Sequence, residues 1–401
     1  MKKGIIRIIM VALSLVMILS SVPTALALPT TYDLWIGGQQ ITDSNATDVF
    51  GDGKVSFNPD TNTLTLKNYT YEGAGYSFTF LGQDSAAAIY SGLDTLNVTV
   101  IGSNSIAHSG QDRASYGIFT EGNLVINEDS TGTLQATGGV TNTRSIGIFV
   151  SNKDLTINGA TVTGVGNNAS ANDLSTGVWC LSGNITVGAK AELVGTGAVA
   201  NISRGVCASG KLAVNGGVVK GNGGAATQIS HGISAGTVES SSDKSVIIGV
   251  ADNSNESIGI VIWNDSVFEK GTIKGFSGAT PSNKNYGIGL HDSFTISGGT
   301  VEAMGAGGAF DKKPTIDSAF SNAKVWYGET EAAADNAGAK NVEDIETKYT
   351  QKYVRIAPVS TEVPTSPNTG DSGNVLLWVI LAMLSGGCLL GTLIYKKKAY
   401  K

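Results

Sequence analysis

The chain has 401 residues, of which 53 are glycine and only 15% are charged. A coiled coil needs far more charged residues than this, and the 41% share of hydrophobic residues argues against a disordered tail. The net charge of −6 gives no reason to expect nucleic acid as a partner. What remains is a β-rich, turn-rich protein.

The N-terminus has the pattern of a secretory signal peptide. A basic start at residues 2–7 precedes an apolar run at residues 8–19, and small residues follow at Ala25 and Ala27. Signal peptidase recognises small residues at these two positions, so we expect cleavage after Ala27. A membrane anchor is the alternative, but the run is short for a membrane span.

The C-terminus has the pattern of a membrane span. Residues 375–395 carry no charge, and lysines follow at positions 396–398 and 401. Positive charge stays on the cytoplasmic side, so the bulk of the chain is expected outside the cell.

A short motif precedes this span: Ser366, Pro367, Asn368, Thr369 and Gly370. The order of motif, apolar span and lysine tail resembles the cell-wall sorting signal of Gram-positive surface proteins. In that family a sortase cuts a Leu-Pro-x-Thr-Gly motif after its Thr and joins the Thr to a peptidoglycan amine. The resemblance implies a plasma-membrane precursor and wall attachment through Thr369, with Ser366 in place of the usual Leu. A simple single-pass membrane protein is the alternative.

A short phrase recurs through the middle of the chain: a small residue, usually glycine, followed by a β-branched aliphatic. Successive copies are separated by 29, 30, 30, 28, 27, 27 and 28 residues. The small residues are Ala88, Gly117, Gly147, Gly177, Gly205, Gly232, Gly259 and Gly287. A fixed period near 28 indicates a solenoid.

Each repeat contains further short alternating segments. Examples of the second segment are 155–157 and 185–187, and examples of the third are 161–163 and 272–274. Three short strands per repeat predict an all-β fold, a right-handed parallel β-helix of about eight coils with a cap at each end. Cys180 and Cys207 should point to opposite sides of the sheet, so we expect no disulfide between them.

These patterns divide the chain into six segments. They are a signal peptide (1–27), an N-terminal β cap (28–87), the β-helix (88–309), a C-terminal β cap (310–357), a linker with the sorting motif (358–370), and a transmembrane span with a basic tail (371–401).

Residues 31–357 resemble the repeat-bearing surface proteins of gut Firmicutes. The resemblance lies in the opening at 32–38 and the ending at 353–356. The region is also loosely similar to a β-helical family described as carbohydrate-binding and to pectate-lyase-like β-helices. These resemblances imply a β-helix and a carbohydrate ligand, and no catalytic motif comes with them.

The residue two places after each small residue should face away from the solenoid core. In four successive coils it is aromatic: Tyr90, Phe119, Phe149 and Trp179. Stacked coils would set these rings about 5 Å apart, and exposed rings in a row would form a platform for sugars. A ladder that only stabilises the sheet, or one covered by the N-terminal cap, is the alternative.

Three carboxylates also recur near one turn: Glu239, Asp265 and Asp292 lie seven, six and five residues after their glycines. Together they would recruit a hard cation such as Ca²⁺. With His291 or Lys270 as a base, they would suit a lyase or hydrolase of acidic polysaccharides. The alternative is that they are ordinary solvated turn residues.

The sequence therefore predicts a surface protein anchored in the cell wall, acting as an adhesin or glycan-binding module without catalysis. Its expected partners are peptidoglycan through Thr369 and a polysaccharide or host surface ligand. No resident cofactor or metal is expected for the binding function. The alternatives are the enzyme just described and a passive surface spacer.

Overall fold

The computed structural model describes residues 30–359, except 111–113, 142, 169–172 and 279–283. The predicted signal peptide, sorting motif and membrane span lie outside this part of the chain. Between residues 30 and 359, no described helix is both long and apolar enough to cross a membrane. The chain is a β-solenoid of about seven turns with a period of about 28 residues.

The solenoid has three faces, each made of strands from successive coils. Face A contains β7 (Gln83–Ser91), β10 (Ala114–Thr120), β13 (Arg144–Val150), β16 (Leu174–Cys180), the first parts of β19 (Ala200–Asn215) and β21 (Ala226–Ser240), β23 (Glu256–Ile262), β26 (Asn285–Leu290) and β29 (Gly308–Phe310). Face B contains β4 (Thr63–Lys67), β8 (Thr95–Ile101), β11 (Asn123–Ile126), β14 (Leu155–Ile157), β17 (Ile185–Gly188), the second parts of β19 and β21, and a separate sheet of β24 (Ser266–Phe268), β27 (Phe294–Ile296) and β30 (Thr315–Ile316). Face C contains β5 (Thr70–Gly73), β9 (Ser103–His108), β12 (Thr133–Thr137), β15 (Thr161–Val165), β18 (Glu192–Thr196), β20 (Val218–Gly223), β22 (Val246–Ala251), β25 (Thr272–Ser277) and β28 (Thr300–Met304).

The repeat phrase sets the register of face A. Ile118 pairs with Ile89 in the coil before it and with Ile148 in the coil after it, in parallel on both sides. The eight copies of the phrase lie on eight successive strands of this face, which bound about seven full turns. The predicted parallel stacking and period are confirmed.

The aliphatic side chains of the three faces form one continuous core. Leu124, Leu155, Ile185 and Leu212 stack in one row of face B and have no solvent exposure. Each such side chain contributes roughly 1.5–3 kcal/mol when fully buried. The core therefore stabilises every coil against its neighbours.

Glycine is required where faces A and C meet, because the two backbones are in contact there. A Cβ atom on Gly147 of face A would overlap the amide nitrogen of Val165 on face C. Across the same contact, a Cβ on Gly164 would overlap the carbonyl of Gly177. Two rows of glycine thus face each other along the solenoid, and the second row, on face C, was not used in the sequence prediction.

A row of buried serines closes the turn from face C to face A. Serine stands two residues before the face A glycine in six successive coils, from Ser115 to Ser257, and each is fully buried. Ser145 Oγ accepts a hydrogen bond from Asn167 N at 2.8 Å, and Ser203 Oγ accepts one from Gly224 N at 2.8 Å. The hydroxyls satisfy turn amides that would otherwise be buried without partners.

Antiparallel strands cover the N-terminal end of the solenoid. β1 (Thr31–Ile36) and β6 (Tyr76–Phe80) both pair with β7, and β2 (Gln39–Thr42) pairs with β1. β3 (Val55–Asn58) forms an antiparallel hairpin with β4. The edge of the first coil, which would otherwise present unpaired backbone groups, is therefore paired.

The C-terminal end is closed in the same way. β32 (Tyr353–Pro358) pairs antiparallel with β28, and β31 (Ala323–Gly328) pairs with β32. Between β31 and β32 lie α1 (Glu331–Ala337), a 3₁₀ turn (Val342–Asp344) and α2 (Ile345–Lys348).

The two cysteines of the solenoid are free and buried. Cys180 belongs to the solenoid core, whereas Cys207 pairs with Trp179 on the outer side of face A. They point to opposite sides of the sheet, as predicted.

Candidate functional site

The predicted aromatic ladder exists, but it is not exposed. The rings of Tyr90, Phe119, Phe149 and Trp179 follow one another at 5.6, 5.3 and 5.5 Å between centroids. Phe119 and Phe149 have no solvent exposure, and Tyr90 is only 8% exposed. The expectation of a sugar platform on these residues is therefore wrong, and the covered-ladder alternative holds.

Strand β6 covers the ladder. Phe78 packs 4.6 Å from Phe119, and Phe80 packs 5.6 Å from Phe149, measured between ring centroids. With Trp35 and Tyr76 they form a second hydrophobic cluster outside the solenoid core. Only Trp179, at the end of the ladder, stays half-buried rather than fully buried.

The three predicted carboxylates do not form one site. Glu239 lies on face B in an ion pair with Lys211 at 2.9 Å. Asp265 and Asp292 lie together at the turn from face A to face B. In the described part of the chain, no three His, Cys, Asp or Glu side chains come close enough to hold a metal ion. The predicted cation site is therefore not assembled by these residues.

Asp265 and Asp292 belong to a compact exposed surface, which we call the corner patch. Its members, all exposed, are Trp263, Asn264, Asp265, His291, Asp292 and Ser293. The backbone aligns them in two rows, because His291 N donates to Ile262 O at 2.8 Å and Ser266 N donates to Ser293 O at 3.0 Å. Trp263 thus stands beside His291, and Asp265 stands beside Ser293.

Trp263 is the main apolar group of the corner patch, with 42% of its surface exposed. Its indole Nε1 donates a hydrogen bond to Ser234 Oγ at 2.9 Å, which fixes the ring. The imidazole of His291 lies 5.6 Å away between centroids, tilted by 39°. The residue beside Trp263 in the preceding coil is Gly236, which adds no side chain next to the indole.

One carboxylate of the corner patch, that of Asp265, is held by the next coil. Asp265 Oδ1 accepts hydrogen bonds from Ser293 Oγ at 2.6 Å and from Ser293 N at 3.1 Å, and these bonds lower the pKa of Asp265. Asp292 Oδ1 lies 3.4 Å from Nδ1 of His291. The Nζ of Lys312 donates to the backbone oxygen of His291 at 2.5 Å. The patch therefore offers a fixed aromatic ring beside two carboxylate groups.

This arrangement suits a ligand with both an apolar face and hydroxyl donors. An exposed ring binds the C–H face of a sugar, and carboxylate oxygens accept hydrogen bonds only. The sequence prediction missed Trp263, although it was detectable. It stands four residues after Gly259, and His291 stands four residues after Gly287, so the repeat aligns them in neighbouring coils.

A second row of side chains lies on the outer side of face A, away from the corner patch. Arg204, His231 and Ile258 are aligned in successive coils. His231 is 2% exposed, and its Nε2 lies 3.1 Å from Glu256 Oε1. Burial lowers the pKa of His231, while the hydrogen bond from His231 lowers the pKa of Glu256 to about 2. The pair is a neutral imidazole that donates to a carboxylate.

Comparison of the chain with protein-family models, with curated proteins and with solved structures gives no match.

Proposed function

We propose that this protein is anchored in the cell wall and binds glycans at the cell surface through the corner patch, without catalysis. The observation that carries the proposal is Trp263, an exposed indole held in place by its hydrogen bond to Ser234. A ring that is already fixed loses little conformational freedom when a sugar stacks on it. Carboxylates of the same patch would accept hydrogen bonds from the sugar hydroxyls.

The proposal places the chain outside the cell. It rests on the signal peptide at 1–27, the sorting motif at 366–370 and the membrane span at 375–395. In this scheme Thr369 is joined to peptidoglycan, and the predicted C-terminal membrane span holds the precursor in the plasma membrane until then. The solenoid is right-handed, since β-strand crossovers of this kind almost always have that hand. It would then serve as a stalk that presents the patch.

Two other functions remain as alternatives. A hydrolase or lyase of acidic glycans would use Asp265 and Asp292, which lie in neighbouring coils. The lowered pKa of Asp265 opposes a role as general acid, because that role needs a raised pKa. A passive spacer would have no specific ligand.

A glycan-array experiment separates these functions. The full chain, purified in detergent, is applied to a printed array with and without Ca²⁺, beside Trp263→Ala and Phe50→Ala. Phe50 is a matched control because it is an exposed aromatic, 38% exposed, at the N-terminal end. Glycan-binding predicts selective signals that Trp263→Ala abolishes and Phe50→Ala keeps.

Three results would contradict the proposal. Selective signals that survive in Trp263→Ala would exclude the corner patch as the binding site. Release of shorter oligosaccharides from the bound glycans would favour the enzyme. A lack of any signal would favour the spacer.

A further inference from the structure

We propose that the corner patch selects glycans without negative charge, an inference that rests on the proposed function and names its ligand class. The feature that carries it is the position of Trp263 beside two carboxylates. Asp265 follows Trp263 by two residues, and Asp292 directly follows His291, whose ring lies 5.6 Å from the indole.

The carboxylates keep oxygens free for a ligand. Both hydrogen bonds from Ser293 end on Oδ1 of Asp265, so Oδ2 accepts none from the described residues. The side chain of Asp292 is 51% exposed, and its contact with His291 is long at 3.4 Å. These oxygens suit a ligand that donates hydrogen bonds.

A neutral sugar ring meets this requirement. Its hydroxyls lie around the rim of the ring and donate to carboxylates in charge-assisted hydrogen bonds, which are the stronger kind. A uronate, sialate or sulfate has acceptor oxygens and a negative charge in the same place. Such a group would face two like charges with no donor of its own.

The neighbouring cations do not reverse this charge pattern. Lys312 adds one positive charge beside His291, where it donates to the backbone oxygen, so the two carboxylates still leave the patch with an excess of negative charge. Lys211 is paired with Glu239. The part of the chain before the sorting motif is strongly acidic as well. Residues 28–369 contain 20 of the 27 basic residues and 32 of the 33 acidic ones, a net charge of −12.

The test compares matched neutral and acidic glycans. The full chain in detergent is applied to a printed array that carries neutral glycans beside versions of the same backbones with uronate, sialate or sulfate groups. The variants are Asp265→Asn with Asp292→Asn, and a control of Asp94→Asn with Glu128→Gln. The control removes the same amount of charge at two exposed ion pairs in earlier coils, with Lys153 and Lys190.

We expect the unaltered chain to bind neutral glycans at least about fivefold more tightly than their acidic counterparts. Repulsion between one pair of like charges a few ångströms apart in water gives a factor of this size. The Asp265/Asp292 double variant should lose affinity for neutral glycans and gain it for acidic ones, while the control keeps the original ratio. Thermal melts of all the variants are used to check that each is folded.

Equal or tighter binding of the acidic glycans by the unaltered chain would overturn the inference and leave the proposed function standing. An unchanged ratio of neutral to acidic glycan binding in the Asp265/Asp292 double variant would also overturn the inference. Failure of the unaltered chain to bind any glycan would overturn both.

Discussion

Gly147 on face A and Val165 on face C lie in backbone contact, so close that a Cβ on Gly147 would overlap the amide nitrogen of Val165. The contact recurs between Gly177 and Thr196 and between Gly205 and Asn222. It explains why glycine recurs on face A with the period of the solenoid.

Gly147→Ala is therefore expected to destabilise the fold by about 3 kcal/mol or more, because neither backbone can move without shifting its neighbours. Chemical unfolding of the full chain in detergent, followed by circular dichroism, measures the effect. Gly51→Ala is the control. Gly51 has a φ of 73° and open space around it, so the change should cost only about 1–2 kcal/mol of backbone strain. Equal losses in the two variants would refute the close contact.

The buried serine row predicts a second, smaller effect. Ser203→Ala leaves the amide of Gly224 without its 2.8 Å hydrogen bond inside the turn. We expect a loss of about 1–3 kcal/mol in the free energy of unfolding, the cost of a buried unsatisfied donor. The exposed Ser209 of the same coil serves as the control, since Ser209→Ala should change stability by less than about 0.5 kcal/mol. A neutral Ser203→Ala would contradict the proposed closing role of the row.

The His231–Glu256 pair predicts that acid destabilises the fold in two steps. Because the folded pKa of His231 is lowered from 6.5, the unfolded chain takes up a proton first as the pH falls below 6.5. Because the folded pKa of Glu256 is about 2, a further loss follows as the pH falls below 4.5. The melting temperature should drop between pH 7.5 and pH 5.

His231→Asn should weaken that drop between pH 7.5 and pH 5, because it removes the imidazole that faces Arg204 and Glu256. Circular dichroism melts of both chains at the two pH values test this. A drop of the same size in the variant would assign the effect to other groups.

The packing of Phe78 on Phe119 predicts that strand β6 shields the aromatic ladder from solvent. Phe78→Ala removes the ring that packs against Phe119, and we expect a loss of about 3 kcal/mol with the solenoid itself retained. Binding of a hydrophobic dye should rise as the ladder becomes accessible, while the β-sheet circular dichroism signal stays. The same change at Phe50, which is 38% exposed and stacks on Tyr69, should raise dye binding far less. If dye binding did not rise in Phe78→Ala, the ladder would have another cover.

The period of the fold was predictable because a parallel solenoid repeats its backbone contacts in every coil. The aliphatic after each small residue marked the register, and Ile118 does pair with Ile89 and Ile148. The serine and second glycine rows recur with the same period, so Ser203 and Gly164 could have been found in the same way.

The exposure of the candidate site was harder to predict, because it depends on segments from outside the repeat. Nothing near Phe119 in the sequence shows that Phe78, about forty residues earlier, will cover it. The tyrosine–phenylalanine alternation over 76–80 was the available signal. Trp263 lies in a later coil, at the turn from face A to face B, and is 42% exposed.

The central claim is that a glycan binds on Trp263, and fluorine NMR of the full chain labelled with 5-fluorotryptophan tests it most directly. The chain has five tryptophans, and the loss of one signal in Trp263→Phe assigns the resonance. On addition of a glycan that the array identifies, the account predicts that the Trp263 signal shifts or broadens while that of Trp326, at the C-terminal end, stays in place. An unchanged Trp263 signal at saturating glycan would contradict it.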